Sequence, residues 1–171
     1  MSGLLLKGQQ GKRKGLTLGR SWVHVDVHPA DLPQTAAEAT FNVNGGEVLV
    51  HLMYGRVTTV IQTLANNTKV TLNPTTGTSA DVASNLDITA DEVGTIYIVE
   101  GDGTALIGVN AGQTWAAAGL PHPFIVNAGT IDIETAGSAT GRIKWHVFYE
   151  PLVDGATVTK TESYAIYTKP R

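Results

Sequence analysis

Cysteine is absent from the 171 residues of this protein. This absence excludes disulfides, thiolate zinc sites, iron–sulfur clusters and cysteine catalysis. Charged residues are scarce too, at 16%, whereas an average globular protein has about 25%. Hydrophobic residues reach 42%, so the sequence does not belong to the charge-rich, disordered class.

Long apolar runs are also missing. No stretch approaches the roughly 18 residues that a membrane helix requires. The opening residues MSGLLLKGQQGKRK contain only three leucines before the charges begin, too few for the core of a signal peptide. We therefore expect a soluble protein, made in the cytoplasm, with no membrane partner.

The residues that are abundant favour β-strands. Thr, Val and Ile make up 49 residues, whereas Glu and Lys number 7 each. Branching at Cβ favours strands, and the long helix-forming side chains are scarce. Short alternating segments separated by Gly and Asn turns predict about nine or ten strands. The sequence thus predicts an all-β fold, a β-sandwich or jelly-roll-like antiparallel domain.

Three segments indicate strands most clearly. Residues 21–28 read SWVHVDVH, and from Val23 onward apolar and polar residues alternate strictly. Residues 47–61 form a long β segment, with a break or bulge expected at Gly55. In residues 141–149 the odd positions, Trp145 among them, are predicted to face the core.

Charge divides the sequence into three parts. Residues 1–20 carry a net charge of +5, residues 21–159 carry −10, and residues 160–171 carry +2, in agreement with the total of −3. We predict a basic, Gly-rich N-terminal arm at 1–20, a β-sandwich domain at 21–159 and a C-terminal tail at 160–171.

The arm has two interpretations. It is either a solvated terminal segment or a segment that docks on an acidic surface. The acidic domain opposes direct nucleic-acid binding, because phosphates would be repelled. The bases of the candidate docking arm are Lys7, Lys12, Arg13, Lys14 and Arg20.

A second local pattern is His24-Val25-Asp26-Val27-His28. Residues two apart on a strand share a face, so His24, Asp26 and His28 would point the same way. Two imidazoles and a carboxylate suit Zn²⁺, Mn²⁺ or Fe²⁺. However, same-face neighbours on a strand lie roughly 6.6 Å apart, which makes a single shared ion hard to reach. We interpret the trio as the polar face of an exposed strand, with a metal site as the alternative.

Catalytic motifs are not found elsewhere in the sequence. It has neither the Gly-rich phosphate loop nor the G-x-S-x-G nucleophile elbow. His51, His122 and His146 lie in isolated contexts, so they do not assemble the ligand shell of a cupin-type enzyme. We therefore expect no enzymatic activity and no cofactor.

Some aromatic residues lie outside the regular strand segments. Trp115 follows a Gly-Gln-Thr loop, and Tyr164 and Tyr167 lie in the C-terminal tail. Aromatic side chains at such positions are candidate interface anchors. Exposed aromatic rings would equally suit a carbohydrate-binding module, which remains an alternative.

The C-terminal third resembles a known class of proteins. Residues 131–158 contain a Gly-x-Ile-Lys-Trp strand, then Tyr-x-Pro-Leu, then Asp-Gly-Ala-x-Val. This stretch resembles the endings of small virion proteins of tailed bacteriophages, and the whole is similar to capsid decoration (cement) proteins. The likeness extends loosely over residues 40–158, while the arm and tail have no counterpart in it.

The resemblance implies a role and a location. Decoration proteins are β-sandwich or jelly-roll folds, often oligomeric, that bind the outside of the capsid shell and hold neighbouring capsomers together. By that likeness we expect a homo-oligomer, a trimer or dimer, that is located on the capsid surface of a virion and has the major capsid protein as its partner. A tail, neck or fibre component of such a particle is the alternative structural role.

Overall fold

The computed structural model describes residues 22–26, 30–32, 38–112, 121–136 and 139–161. These residues form strands and no helix, which confirms the predicted all-β class. In sequence order the strands are β1 (Val23–Asp26), β2 (Ala30–Asp31), β3 (Glu38–Asn44), β4 (Val48–Thr59), β5 (Asn67–Pro74), β6 (Ala80–Asp87), β7 (Ile96–Ile98), β8 (Ile107–Val109), β9 (Phe124–Val126), β10 (Gly129–Thr135), β11 (Arg142–Pro151) and β12 (Thr157–Lys160). The described part of the protein offers no helix that could span a membrane.

The strands form two antiparallel sheets that pack as a β-sandwich. Sheet A has seven strands in the order β1-β11-β4-β7-β8, with β2 also beside β11 and β9 also beside β4. Sheet B has five strands in the order β12-β3-β10-β5-β6. The central pair of sheet A, β4 and β11, is the longest in the fold and runs through ten paired positions.

The core lies between the sheets and follows the alternation of each strand. On β11 the residues Ile143, Trp145 and Val147 are buried and their neighbours are half-buried, as the sequence predicted. The Tyr97 side chain enters the core from β7, and its hydroxyl donates a hydrogen bond of 2.6 Å to Asp91. Burial, which has the larger effect, and this hydrogen bond both raise the pKa of Tyr97. The Asp91 carboxylate thus satisfies the hydrogen-bonding need of a hydroxyl that the core removes from solvent.

The expected irregularity at Gly55 does not occur there, because β4 continues through this residue. Gly55 is buried, and a Cβ atom on it would lie 2.9 Å from Cγ2 of Ile143 and 3.0 Å from the Trp145 ring. Glycine is therefore needed for close packing rather than for a turn. The register of β4 against β11 shifts instead on either side, at Thr58 and at His51.

One flank of the sandwich brings together the first and the last strand. β1 is an edge strand of sheet A, β12 is an edge strand of sheet B, and the two lie in contact. The residues that precede Trp22 and those that follow Thr161 are therefore both joined to the domain at this flank. We call it the terminal flank.

Candidate functional site

The outer face of sheet A, turned away from sheet B, carries an unusual set of side chains. Outward positions of a solvated antiparallel sheet are normally polar. Here rings and charges occupy β1, β11 and β4, and aliphatic side chains occupy β7 and β8. The outward residues are His24 and Asp26 on β1, Arg142, Lys144, His146, Phe148 and Glu150 on β11, Leu52, Tyr54 and Arg56 on β4, Ile96 and Ile98 on β7, and Ile107 and Val109 on β8.

Four of these rings form a stack that crosses three strands. The His24 and Phe148 rings lie 4.4 Å apart, centroid to centroid, with planes inclined by 17°. The Tyr54 and His146 rings lie 4.6 Å apart and are inclined by 14°. Antiparallel registers place these residues opposite or diagonal to one another, where cross-strand ring pairs stabilise a sheet. We call these four residues the ring stack.

A hydrogen bond joins the two imidazoles of the ring stack. Nε2 of His24 lies 3.0 Å from Nδ1 of His146, so one nitrogen donates and the other accepts. Two effects lower the pKa of His146: burial, which is the larger, and the positive charge of the nearby Lys144 ammonium. The neutral form of His146 is therefore favoured in the folded protein.

An ion pair flanks the imidazole pair. Lys144 on β11 donates to the carboxylate of Asp26 on β1. This hydrogen bond holds the pKa of Asp26 below its ordinary value. Both side chains are more than 30% exposed, so solvent screens their attraction.

A second, smaller group of rings lies beside the bulge in β4. His51 is the extra residue there, so it points outward next to Leu52 instead of into the core. Its ring stacks on Trp22 at 4.6 Å, and its Nε2 lies 3.1 Å from Oε2 of Glu150. This group anchors Trp22 at the beginning of the edge strand β1.

The aliphatic half of the face surrounds a shallow hollow. The hollow has a volume of about 200 Å³ and is lined by Leu52, Tyr54, Arg56, Ile96 and Ile98. Ile98 is buried although it does not belong to the core between the sheets. The outer face therefore has a small apolar floor of its own.

The ring stack is poorly suited to binding sugars. Sugars are held on exposed ring faces, whereas stacked rings cover each other's faces and present their edges to solvent. The Trp22 side chain is 45% exposed, but the His51 ring stacks on one face of its indole. The geometry of the ring stack therefore favours a packing role.

The outer face of sheet B has the opposite character. Its outward positions are mainly Thr, Asn and acidic residues, with Lys69 as the one base among the described side chains there. Lys69 lies 3.3 Å from carboxylate oxygens of both Asp81 and Glu134. Asp132, on the same face, is 6% exposed, and its Oδ1 has no hydrogen-bond partner within the described ranges.

Charge is therefore segregated between the two outer faces. Of the four bases in residues 21–159, three lie on sheet A and one on sheet B. Among the side chains that the structure describes, the sheet A face has three bases and two acids, for a net charge of +1. The sheet B face has one base and four acids, for a net charge of −3. The residues counted are Arg56, Arg142, Lys144, Asp26 and Glu150 on sheet A, and Lys69, Asp81, Asp87, Asp132 and Glu134 on sheet B.

Several residues singled out in the sequence lie outside the described residues. These are the arm bases Lys7, Lys12, Arg13, Lys14 and Arg20, the anchors Trp115, Tyr164 and Tyr167, and the third member of the histidine pattern, His28. The roles predicted for them stay predictions.

The described members of the histidine pattern share a face, but they find partners on another strand. His24 contacts His146, and Asp26 contacts Lys144, both on β11. In the described ranges no three His, Asp or Glu side chains converge closely enough to hold a metal ion. His122, also singled out above, is an exposed side chain 4.0 Å from Glu100.

Sequence reasoning missed the participation of Tyr54, His146 and Phe148. The polar positions of β11 alternate with its buried ones, which is a sufficient signal that His146 and Phe148 point outward. The sequence contains no signal for the register that places them beside His24 and Tyr54.

The class that the fold defines is an antiparallel β-sandwich with one face rich in rings and aliphatic residues. No protein-family model, no characterised protein and no solved structure matches the sequence or the fold.

Proposed function

We propose that this protein is a non-enzymatic virion structural protein, a capsid decoration protein that binds the outside of the major capsid shell. The observation that supports this most is the terminal flank. The basic segments 1–20 and 160–171, at +5 and +2, are both joined to the domain on the side where β1 and β12 meet, while the domain between them carries −10. One side of the domain can thus be held against an acidic surface.

Exposed apolar side chains at one end of the terminal flank support the same role. Trp22 and Val23 are 45% and 41% exposed, and Leu152 and Val153 are 43% and 44% exposed. Val23 pairs with Tyr149 on β11, and Leu152 follows shortly after that strand ends, which places the four side chains at the same end. Apolar contacts beside basic segments suit a protein that binds a large surface through many weak contacts.

A co-sedimentation assay with purified empty shells that lack this protein tests the proposal. We expect the full-length protein to sediment with the shells, with an affinity that falls as salt rises, because opposite charges attract. Replacing Lys7, Lys12, Arg13, Lys14 and Arg20 by Gln should weaken binding at least about tenfold and flatten the salt dependence. The matched control is Lys69→Gln, which removes a base from sheet B and should leave binding unchanged.

Two outcomes would contradict the proposal. Binding that survives the five-fold arm substitution with its salt dependence intact would remove the arm from the docking surface. Closed rings of the isolated protein in electron micrographs, with no affinity for shells, would favour the tail or neck component instead.

A further inference from the structure

The two imidazoles of the ring stack meet at their edges. Their planes are inclined by only 8°, and their centroids lie 5.3 Å apart. Since that separation is about the 3.0 Å between Nε2 of His24 and Nδ1 of His146 plus the two ring radii, the rings lie nearly in one plane. Phe148 stacks on His24 and Tyr54 stacks on His146. The structure therefore holds two ring nitrogens face to face across β1 and β11.

The distance between these nitrogens fits a shared metal ion. Imidazole nitrogens bind Zn²⁺ at about 2.0–2.1 Å, so two of them on one ion lie about 2.8 Å apart at a right angle and about 3.3 Å apart in a tetrahedron. The 3.0 Å between Nε2 of His24 and Nδ1 of His146 falls between these two values. The strands already supply the spacing, and the rings need only turn until both lone pairs point at the ion.

The protonation state of the pair also suits a metal ion, because neutral imidazole is the form that coordinates. The pKa of His146 is lowered, which favours its neutral form. Each neutral ring keeps one proton, and coordination at the two facing nitrogens places these protons on Nδ1 of His24 and Nε2 of His146. The proton of the present hydrogen bond moves to the other nitrogen of its own ring, so binding releases no net proton.

We propose that His24 and His146 together bind one divalent transition-metal ion of the kind that prefers imidazole, Zn²⁺ or Cu²⁺, across β1 and β11. Water completes the coordination, since no third His, Asp or Glu side chain of the described ranges converges there. The site differs from the His24, Asp26 and His28 pattern, because its second imidazole comes from the neighbouring strand. The inference goes beyond the proposed function, since the ligand is a metal ion and not a shell.

The charges that surround the site set its strength. Lys144 and Arg56 both place positive charge near the His146 imidazole, and both repel a metal ion. Asp26 lies directly opposite His146 on β1, but its carboxylate is engaged by Lys144. Lys144 thus opposes metal binding twice, through its own charge and by holding the nearest carboxylate.

Isothermal titration of the full-length protein with ZnCl₂ tests the proposal. We expect one ion per chain, and His24→Gln or His146→Gln should each weaken binding at least about tenfold, because each removes one of the two protein ligands. The matched control is His122→Gln, at a side chain that is 70% exposed, and it should leave binding unchanged. MgCl₂ should give no binding, because Mg²⁺ prefers oxygen ligands.

Lys144→Gln keeps the test decisive if the histidine variants do not fold, because it leaves both imidazoles in place. It removes a like charge and frees Asp26, so it should tighten Zn²⁺ binding by about tenfold. Any of three results would overturn the proposal: no binding at sub-millimolar Zn²⁺, a dissociation constant that Lys144→Gln leaves unchanged, or a loss of binding in His28→Gln without one in His146→Gln. The last result would place the ion along one strand instead of across two.

Discussion

Side chains alternate between inward and outward positions on both sheets of the sandwich, but the contacts among the outward side chains differ between the two faces. On sheet A, rings stack across three strands and aliphatic side chains form a small apolar floor, with charges at the margin. On sheet B, Thr, Asn and carboxylates surround Lys69, whose ammonium bridges Asp81 and Glu134. The alternation therefore assigns residues to the inside or the outside, but it does not determine whether the outside is solvated.

The difference between the faces predicts how much an outward side chain adds to stability. Tyr54→Ala removes the ring that stacks on His146 and lines the hollow, so it should lower the free energy of unfolding by about 2–3 kcal/mol. Thr71→Ala on sheet B removes a 2.8 Å hydrogen bond to Asp81 and should cost less than about 1 kcal/mol. Urea unfolding at neutral pH measures both values. Equal losses would show that the two faces contribute alike.

The packing beneath the sheet A face can be tested with glycines. Gly55→Ala places a Cβ atom against Ile143 and Trp145 and should destabilise the protein by about 1–3 kcal/mol through overpacking. Gly108→Ala on β8 is the matched control, because its nearest neighbour, Leu86, would lie at an ordinary contact distance of 3.5 Å. Thermal unfolding compares the two variants. A Gly55→Ala protein as stable as the control would mean that β11 can move away from β4 at little cost.

Among the outward positions that the structure describes on sheet B, Lys69 is the one base. Lys69→Met leaves Asp81 and Glu134 without the ammonium that bridges them, so we expect a loss of about 0.5–1 kcal/mol. The loss should shrink at high salt, because screening weakens both the lost attraction and the remaining repulsion. Urea unfolding at low and high salt measures it. A loss that does not respond to salt would assign the effect to the packing of the new side chain rather than to the lost charge.

The smallest expected effect is a pH dependence on the sheet A face. The pKa of His146 in the folded protein lies below its ordinary value of 6.5, so the unfolded protein binds more protons as the pH falls below that value. The stability that neutral His146 contributes to the folded protein is therefore fully present above pH 6.5, and it is lost as the pH falls through the pKa of His146 in the folded state. Asp26 acts in a more acidic window, because its pKa is lowered from 3.8.

Unfolding free energies measured between pH 7 and pH 5 test the effect of His146. His146→Gln should flatten the profile, whereas His122→Gln, at a side chain that is 70% exposed, should leave it unchanged. Asp26, Lys144 and Arg56 face the same imidazole and stay in place in both variants. An identical slope in the wild type and in His146→Gln would remove His146 as its source.

Much of the fold could be predicted from the sequence, because the physical signals are local. A high content of β-branched residues, alternation with period two and Gly turns together predict an all-β sandwich, and the buried odd positions of 141–149 follow from the alternation alone. The charge division into a basic arm, an acidic domain and a basic tail also requires nothing beyond the sequence. These properties depend on residues that are near neighbours along the sequence.

Only the tertiary structure determined which outward residues meet. His24 contacts His146 across 122 positions of sequence, because the register of β1 against β11 places them together, and no local pattern encodes that register. The bulge at His51 and the close packing at Gly55 likewise depend on what β11 presents to β4. The same holds for the segregation of three bases to one face and for the flank where β1 meets β12. Residues far apart in sequence become neighbours through strand pairing and sheet packing, so the candidate surfaces belong to the fold and not to any one segment.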